Sequence, residues 1–385
     1  MKNFNADYLV VGCGLSGSVI ARYIAEKLNK KVVILERRDH IGGNMYDYTD
    51  EHGILVQKYG PHTFHTKKKH LYDYMCQYEN WKEYKLTCMA EIDGKATPTP
   101  FNFQTIDDFY SAEQAKELKG LIRQHFPEQE FATVLNVLKH ENDKIRAYAQ
   151  FLYNKDYSLY TAKQWGISPE EIDPSVLERV PLRFSYDIGY FDDNYQVMPE
   201  HSFEKFFENL LNHTNIKVKL HFDALQHLHV DAGHQCLLWD DEICEIPVIY
   251  TGALDELFGC QYGKLPYRSL RFEWKYEDID SLQNAPVVAY PQAEGYTRIT
   301  EYKKLPVQNV KGTSYAAEYP LKYDSAEAEP YYPILTQDSQ QQYAKYLALA
   351  EQIPKLYLCG RLADFKYYNM DQALERALQV TENLK

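Results

Sequence analysis

The stretch that decides the fold is VVGCGLSGSVIARYIAEKL, residues 10–28, followed closely by VVILERRDHIGGN, residues 32–44. Tyr8 to Val11 form a short apolar run ending at Gly12, and from Ser16 onward Val19, Ile20, Tyr23, Ile24 and Leu28 share one side of an amphipathic helix. Strand, turn and helix follow one another, and Gly12, Gly14 and Gly17 fall on the turn with G-x-G-x-x-G spacing. In such a unit the first glycine allows the tight turn and the second lets a pyrophosphate approach the backbone. The third lets helix and strand pack closely. The helix start offers unpaired N–H groups and positive dipole to phosphates. A second strand, KVVILE, ends in Glu36, placed to accept hydrogen bonds from a ribose diol. The pattern predicts dinucleotide binding.

NAD and FAD both fit this unit. Gly42, Gly43 and Asn44 add a second close-approach loop directly after the ribose acid, an extension that resembles the flavin-binding pattern of two-dinucleotide-motif flavoproteins and so favours FAD. Near the other end, KLYLCGR reads as a strand closing on Gly360 and Arg361, and YYNMDQALERALQ as a helix with Asn369 or Asp371 at its start. In a flavoprotein such a helix start can face the electron-rich edge of the isoalloxazine. The sheet then needs strands from both chain ends, so the cofactor domain is expected to be discontinuous.

Composition narrows the class. A chain of 385 residues, 45% hydrophobic and 25% charged, is ordinary for a globular protein with two or three domains. A formal charge of −13 argues against a nucleic-acid surface, which needs a basic footprint. A phosphorylated ligand must therefore meet local cations. The seven cysteines lack C-x-x-C spacing, so neither a zinc knot nor a disulfide framework is suggested, and a reducing cytoplasm fits best. No stretch approaches the length of a membrane span, and membrane insertion is not expected. Tyrosine is abundant, 34 residues, which suits half-buried sheets and pockets for sugars and bases alike.

Residues 106–165 read as mostly helical, with FATVLNVLKHENDKIRAYAQFLY as a longer helical stretch. From Leu182 to about Pro333 the pattern changes to short strands, among them RFSY, IKVKLHF, PVIYTG, YRSLRFEWKY, APVVAY, YTRITEYKKL and TSYAAEYPL, the later ones suggesting a mainly antiparallel sheet. There is no G-x-S-x-G, no H-E-x-x-H and no P-loop. His62 and His65 in YGPHTFHT have spacing open to a metal, but no third ligand is apparent, so a structural or flavin-contacting role is the favoured reading.

Taken together, VVGCGLSG, ERRDHIGGNMYD, KYGPHTFHT, PTPFNF, YTAKQWG, DPSVLERVPLRFSYDIGYFDDNYQ, YRSLRF, YTRITEYK, EYPL and CGRLADFKYYNMD resemble the bacterial UDP-galactopyranose mutase family over nearly the full length. The resemblance implies an α/β fold with a discontinuous Rossmann-like FAD-binding domain (residues 1–82, 203–264 and 350–385). It adds a helical substrate and lid domain (104–181) and an antiparallel β-sheet domain (83–103, 182–202 and 265–349), commonly in a homodimer. It also implies that reduced FAD acts as a nucleophile: N5 attacks the anomeric carbon of a UDP-sugar, UDP leaves, and the opened sugar recloses as a five-membered ring. No net redox change occurs, with NAD(P)H as the expected external reductant.

Residue by residue, the resemblance assigns Gly12, Gly14, Leu15, Gly17, Glu36, Arg37, Gly43, Asn44, His62, Gly360, Arg361, Tyr368, Asn369, Met370 and Asp371 to the cofactor. Arg183 and Arg298 match the two diphosphate-clamping arginines, with Arg268 a weaker candidate. Guanidinium forks meet phosphate oxygens in paired, charge-assisted hydrogen bonds. Tyr160, Thr161 and Trp165 match the uridine pocket. Tyr195, Tyr319 and Tyr367 match tyrosines that bond the phosphates. His62 falls beside the flavin and His65 on its active-site neighbour, while the segment from Trp165 to Arg183, with Gly166 and Pro169, matches a mobile lid.

There are departures from the family pattern. YQVMPEHSF, residues 195–203, stands where three glycines are expected around Val197, His201 and Ser202, so that segment is open to a different fold. Leu86 and Ala289 occupy positions aligned with two sugar-contacting asparagines, and Asn369 replaces a frequent Asp. UDP-galactose is the first choice of substrate, with a deoxy, N-acetyl or uronic nucleotide sugar as alternative. A flavin amine oxidase or desaturase, and a nucleotide-binding protein without catalysis, are competing readings.

Overall fold

The computed structural model describes residues 5–166, 180–323 and 328–384, without the side chain of Trp165. Strand β1 (Tyr8–Val11) runs into helix α1 (Leu15–Glu26), and β2 (Val32–Leu35) lies parallel to β1. Their near-continuous apolar sequence is what a sheet covered on both faces requires. Strands Ile216–Lys219, Val248–Tyr250 and Leu356–Leu358 complete a five-stranded sheet in the order 216–219, β2, β1, 248–250, 356–358, every pair parallel. The order reverses between β1 and 248–250, which makes the carboxyl ends of those strands the natural place for a ligand.

Both faces of this sheet are covered. On one side α1 packs with helix Phe203–Leu211 and helix Met370–Thr381, through Val19, Ile20, Phe206, Phe207 and Leu374 among others. Phe203, Phe206, Phe207 and Leu210 follow i, i+3, i+4, i+7 spacing and are fully buried. On the other side Leu254, Leu257, Trp239 and Tyr346 form a second core.

The expected antiparallel sheet is present with seven strands, in the order Tyr332–Pro333, Tyr267–Glu277, Thr313–Lys322, Arg298–Glu301, Val287–Ala289, Cys88–Ile92, Lys95–Thr99. One neighbouring pair, 287–289 with 88–92, is parallel. Strand RFSY is shorter than expected: only Leu182 and Arg183 pair, with Phe131–Ala132.

The long helix expected over residues 131–153 is interrupted. Thr133 and Asn142 accept backbone N–H bonds with their side chains and start two separate helices, Val134–Leu138 and Asp143–Leu152. Their short side-chain oxygens compete with the helical ladder, and that competition defeats a reading based on apolar periodicity. A π-helical turn, Tyr153–Tyr157, leads into helix Ser158–Trp165.

The segment lacking glycines is regular. Tyr195–Pro199 is the central strand between Phe64–Thr66 and Trp81–Glu83, with Val197 and Met198 in the core. Ser202 caps the next helix and His201 Nδ1 lies 2.8 Å from the buried Glu79 carboxylate. Val197 takes its place from the strand register, and His201 and Ser202 take theirs from the ion pair and the helix cap that follow the strand. Most of the expected lid, residues 167–179 with Pro169, lies outside the described residues.

Candidate active site

The carboxyl ends of the parallel strands open onto a cleft of about 1240 Å³, counting its solvent-facing mouth. Gly12 has φ +101°, and a Cβ there would lie 2.1 Å from Thr251 Oγ1. Gly43 has φ +57°, and its Cβ would lie 2.8 Å from the Cα of Gly14. The two glycine loops therefore meet backbone to backbone, leaving main-chain N–H groups uncovered by side chains. Every residue assigned to the cofactor from sequence lines this cleft except Asp371. Asp371 instead accepts the N–H of Gln372 at its own helix start.

Glu36 is buried at the cleft wall, and its two oxygens accept N–H bonds from Cys13 and Arg38 at 2.8 and 2.9 Å. Each oxygen retains a lone pair for a further donor. Arg37 lies 3.6 Å from Glu256, and Arg38 spans the Tyr59 ring to reach Asn44 Oδ1 and Glu329. On the opposite wall Asp364 gathers the Gly360 N–H, the Tyr368 hydroxyl and the Arg376 guanidinium, which fixes the strand-end loop. Thr251, Phe222, Asp223, Leu225 and Tyr331 also line the cleft and were missed from sequence. Four of them follow strand ends 216–219 and 248–250. The place of those strands in the sheet is the signal that would have found them, and only the fold supplies it.

A second group of residues adjoins His62. Its backbone is pinned by Gln57, which accepts the His62 N–H and donates to its carbonyl. The ring Nδ1 lies 2.9 Å from the Gly60 carbonyl, so Nδ1 carries the hydrogen and Nε2 is left as acceptor. Burial pushes His62 down to about 4, with Arg361 and Arg298 adding to the effect. Arg298 donates through Nε and Nη2 to Glu318 Oε2, and Tyr160 and Tyr332 are close enough for their charge states to be coupled to this pair. Tyr367 packs edge-on against Tyr332 and beneath Arg361, joining this group to the cleft.

Most of the remaining assigned residues have partners of their own, and among them Arg268 adjoins this group as the register partner of Tyr332. Arg183 is 6% exposed, paired with Asp192 and Asp187 at 2.8 and 3.2 Å, and its Nε has no hydrogen-bond partner among the described residues. Arg268 donates twice to the carbonyl of Gln164. Gly166 sits at φ +63°, in the left-handed region, and a Cβ there would lie 2.6 Å from Arg268 Nη2, so the end of that arginine would have to shift. Thr161 is buried in the same helix as Tyr160. His65 is held by Asp193 at 2.7 Å and stacked on Phe191, and Tyr195 stacks on Tyr72.

Tyr319 needs correction. It follows Glu318 in the strand, so it points to the opposite face of the sheet from Arg298. There its hydroxyl donates to Glu273 and its ring lies under Arg271. Tyr332, in the edge strand beside 267–277, is the tyrosine that accompanies Arg298. Among the described residues no three His, Cys, Asp or Glu side chains converge as metal ligands, and no helix is long and apolar enough to cross a membrane.

Comparison with known proteins agrees with this architecture. A family model described as UDP-galactopyranose mutase matches residues 155–367, and one described as an NAD(P)-binding Rossmann-like domain matches residues 10–78. UDP-galactopyranose mutase of Mycoplasma pneumoniae is 34% identical over 98% of this chain and 96% of its own. The dTDP-fucopyranose mutase of Escherichia coli is 33% identical over 97% of each. A solved structure of reduced UDP-galactopyranose mutase superposes with a TM-score of 0.72 at 16% identity, covering 98% of this chain and 95% of that one. With a family model over more than half its length and full-length relatives at this identity, the chain belongs to the UDP-galactopyranose mutase family.

Proposed function

We propose that this nucleotide-sugar mutase interconverts the pyranose and furanose forms of a nucleotide-activated hexose, UDP-galactose first, with FAD in the cleft. The observation that carries the reading is the junction of the dinucleotide cleft, at His62 and Arg361, with the Arg298, Tyr160, Tyr332 and Tyr367 group.

The residues fit FAD. The facing backbones at Gly14 and Gly43 leave room for a pyrophosphate at the start of α1, Glu36 offers acceptors to a ribose, and Asn369, Met370 and Gly360 lie at the far wall. When bound and reduced, FAD supplies an electron-rich nitrogen for the anomeric carbon, and NAD(P)H serves as external reductant.

The chain's own task is positioning. Tyr160, with Thr161 and Trp165, holds the nucleoside, its ring offering a face to the base. Arg298 and Arg183 hold the diphosphate, each exchanging part of its carboxylate pairing for phosphate oxygens, with Tyr332 and Tyr367 alongside and Arg268, Tyr195 and His65 further out. His62, neutral above about pH 4, offers an acceptor without adding positive charge. The domain limits given above, a homodimer and a cytoplasmic location complete the proposal.

A relative named dTDP-fucopyranose mutase at 33% identity keeps a deoxyhexose nucleotide as second reading for the substrate. The test gives dithionite-reduced protein, under anaerobic conditions, UDP-galactopyranose and dTDP-fucopyranose separately, and resolves products by chromatography. Furanose formed only under reduction supports the mutase, and the better substrate identifies the sugar. Tight UDP binding without turnover of either sugar overturns it, as does oxygen uptake in a separate aerobic assay of the oxidised protein with an amine.

A further inference from the structure

Lys163 sits one helical turn beyond Tyr160 in helix Ser158–Trp165. Its ammonium donates to three main-chain carbonyls, those of Tyr290 at 2.8 Å, Tyr296 at 2.9 Å, and Ala293. An ammonium has three N–H donors, so this one is fully satisfied by backbone alone. No carboxylate pairs with it among the described residues, and burial lowers its pKa from the ordinary lysine value.

The three acceptors belong to one turn, residues 290–296, between strands 287–289 and 298–301. Tyr290 N–H donates to Thr297, and Thr297 N–H to Glu318 at 2.8 Å, so the turn is continuous with the strand that begins at Arg298. Three carbonyl oxygens aimed at one point repel one another unless a cation sits between them. Lys163 supplies that cation from a different element, the helix that bears Tyr160 and Thr161.

We propose that Lys163 is a positioning residue for substrate: by clasping the 290–296 turn it fixes the span between the face of Tyr160 and the guanidinium of Arg298. This rests on the reading above in which Tyr160 holds the nucleoside and Arg298 the diphosphate. A ligand that engages both gains the advantage of a linked pair only when the two sites stand at the spacing of its own linker. A ligand that engages one of them is indifferent to that span.

The test compares UDP, uridine and inorganic pyrophosphate by calorimetry and competition on the protein as purified, wild type and Lys163→Met. The expected result is a loss of at least tenfold in UDP affinity, with uridine and pyrophosphate each changed less than twofold. Equal losses for UDP and uridine, or no loss for UDP, overturn the proposal. Lys163→Arg guards against a methionine variant that does not fold, because it keeps the charge but cannot point three N–H groups from one nitrogen. It is expected to show the same selective loss at threefold or more, and a uniform loss there also overturns the idea. Arg298→Ala separates the underlying reading: unchanged pyrophosphate affinity in that variant removes the diphosphate role of Arg298 itself, whatever Lys163 does.

Discussion

Both Nε and Nη2 of Arg298 donate to a single oxygen, Oε2 of Glu318, at 2.9 and 2.7 Å across neighbouring antiparallel strands. Glu318 is buried, 3% exposed, while the Arg298 side chain keeps 28% of its surface open, and the carboxylate raises the Arg298 pKa further above its ordinary value despite desolvation. The guanidinium is thus oriented by one carboxylate oxygen while its Nη1 edge is left for another acceptor.

For Arg298→Lys, charge is kept and the fork is lost, so kcat/KM for the nucleotide sugar is expected to fall at least tenfold, about 1.4 kcal/mol. Arg298→Ala additionally strands a buried carboxylate and is expected to cost about 3–5 kcal/mol of stability. Steady-state kinetics and denaturant unfolding check the two, and a lysine variant with unchanged kcat/KM would refute the clamp.

Tyr319 and Tyr332 give a paired comparison. Because Tyr319 faces away from Arg298, Tyr319→Phe is expected to leave kcat/KM within twofold of wild type, whereas Tyr332→Phe lowers it about fivefold or more, on the order of 1 kcal/mol for one hydrogen bond. The reverse ranking would place the diphosphate on the other face of the sheet.

Gly43→Ala tests the cradle. A methyl there would sit 2.8 Å from Gly14 Cα at φ +57°, and neither backbone can yield cheaply. The expected cost is about 1–3 kcal/mol of local strain, seen as protein purified with most of its flavin absorbance missing. A fully flavinated, wild-type-stable variant would count against this loop as the pyrophosphate seat.

His62 carries a pH signature. Its folded pKa lies near 4 and its unfolded value near 6.5, so between those limits the unfolded chain binds the extra proton. Stability is therefore complete above about pH 6.5 and declines as pH falls toward 4, by about 2 kcal/mol allowing for its partial exposure. His62→Asn is expected to flatten that part of the Tm-against-pH curve, and an unchanged slope would show that the histidine is not shielded.

The cleft was largely legible because glycines at fixed spacing, an acid at a strand end and a late glycine-bearing strand each constrain the backbone locally. Thr251 and Leu225 were not legible, since nothing local distinguishes them; they line the cleft because strands 248–250 and 216–219 flank β1 and β2. Tyr319 failed for a related reason. One residue of register in a strand reverses the face, and EYP alone does not say which face carries Arg298. The interrupted helix at Thr133 and Asn142 shows capping chemistry overriding periodicity.

The parallel sheet takes strands from the first forty residues, the middle and the last thirty of the chain, and its fifth strand is Leu356–Leu358. During synthesis the Gly360 wall and the helix at 370–381 emerge from the ribosome after all other parts of the cleft. Cofactor capture therefore cannot guide the early folding of the amino-terminal segment, in which β1 and β2 can pair with each other while their outer edges wait for strands 248–250 and 216–219, translated much later. Strand edges left open on the growing chain are the cost of building one sheet from segments so far apart in sequence.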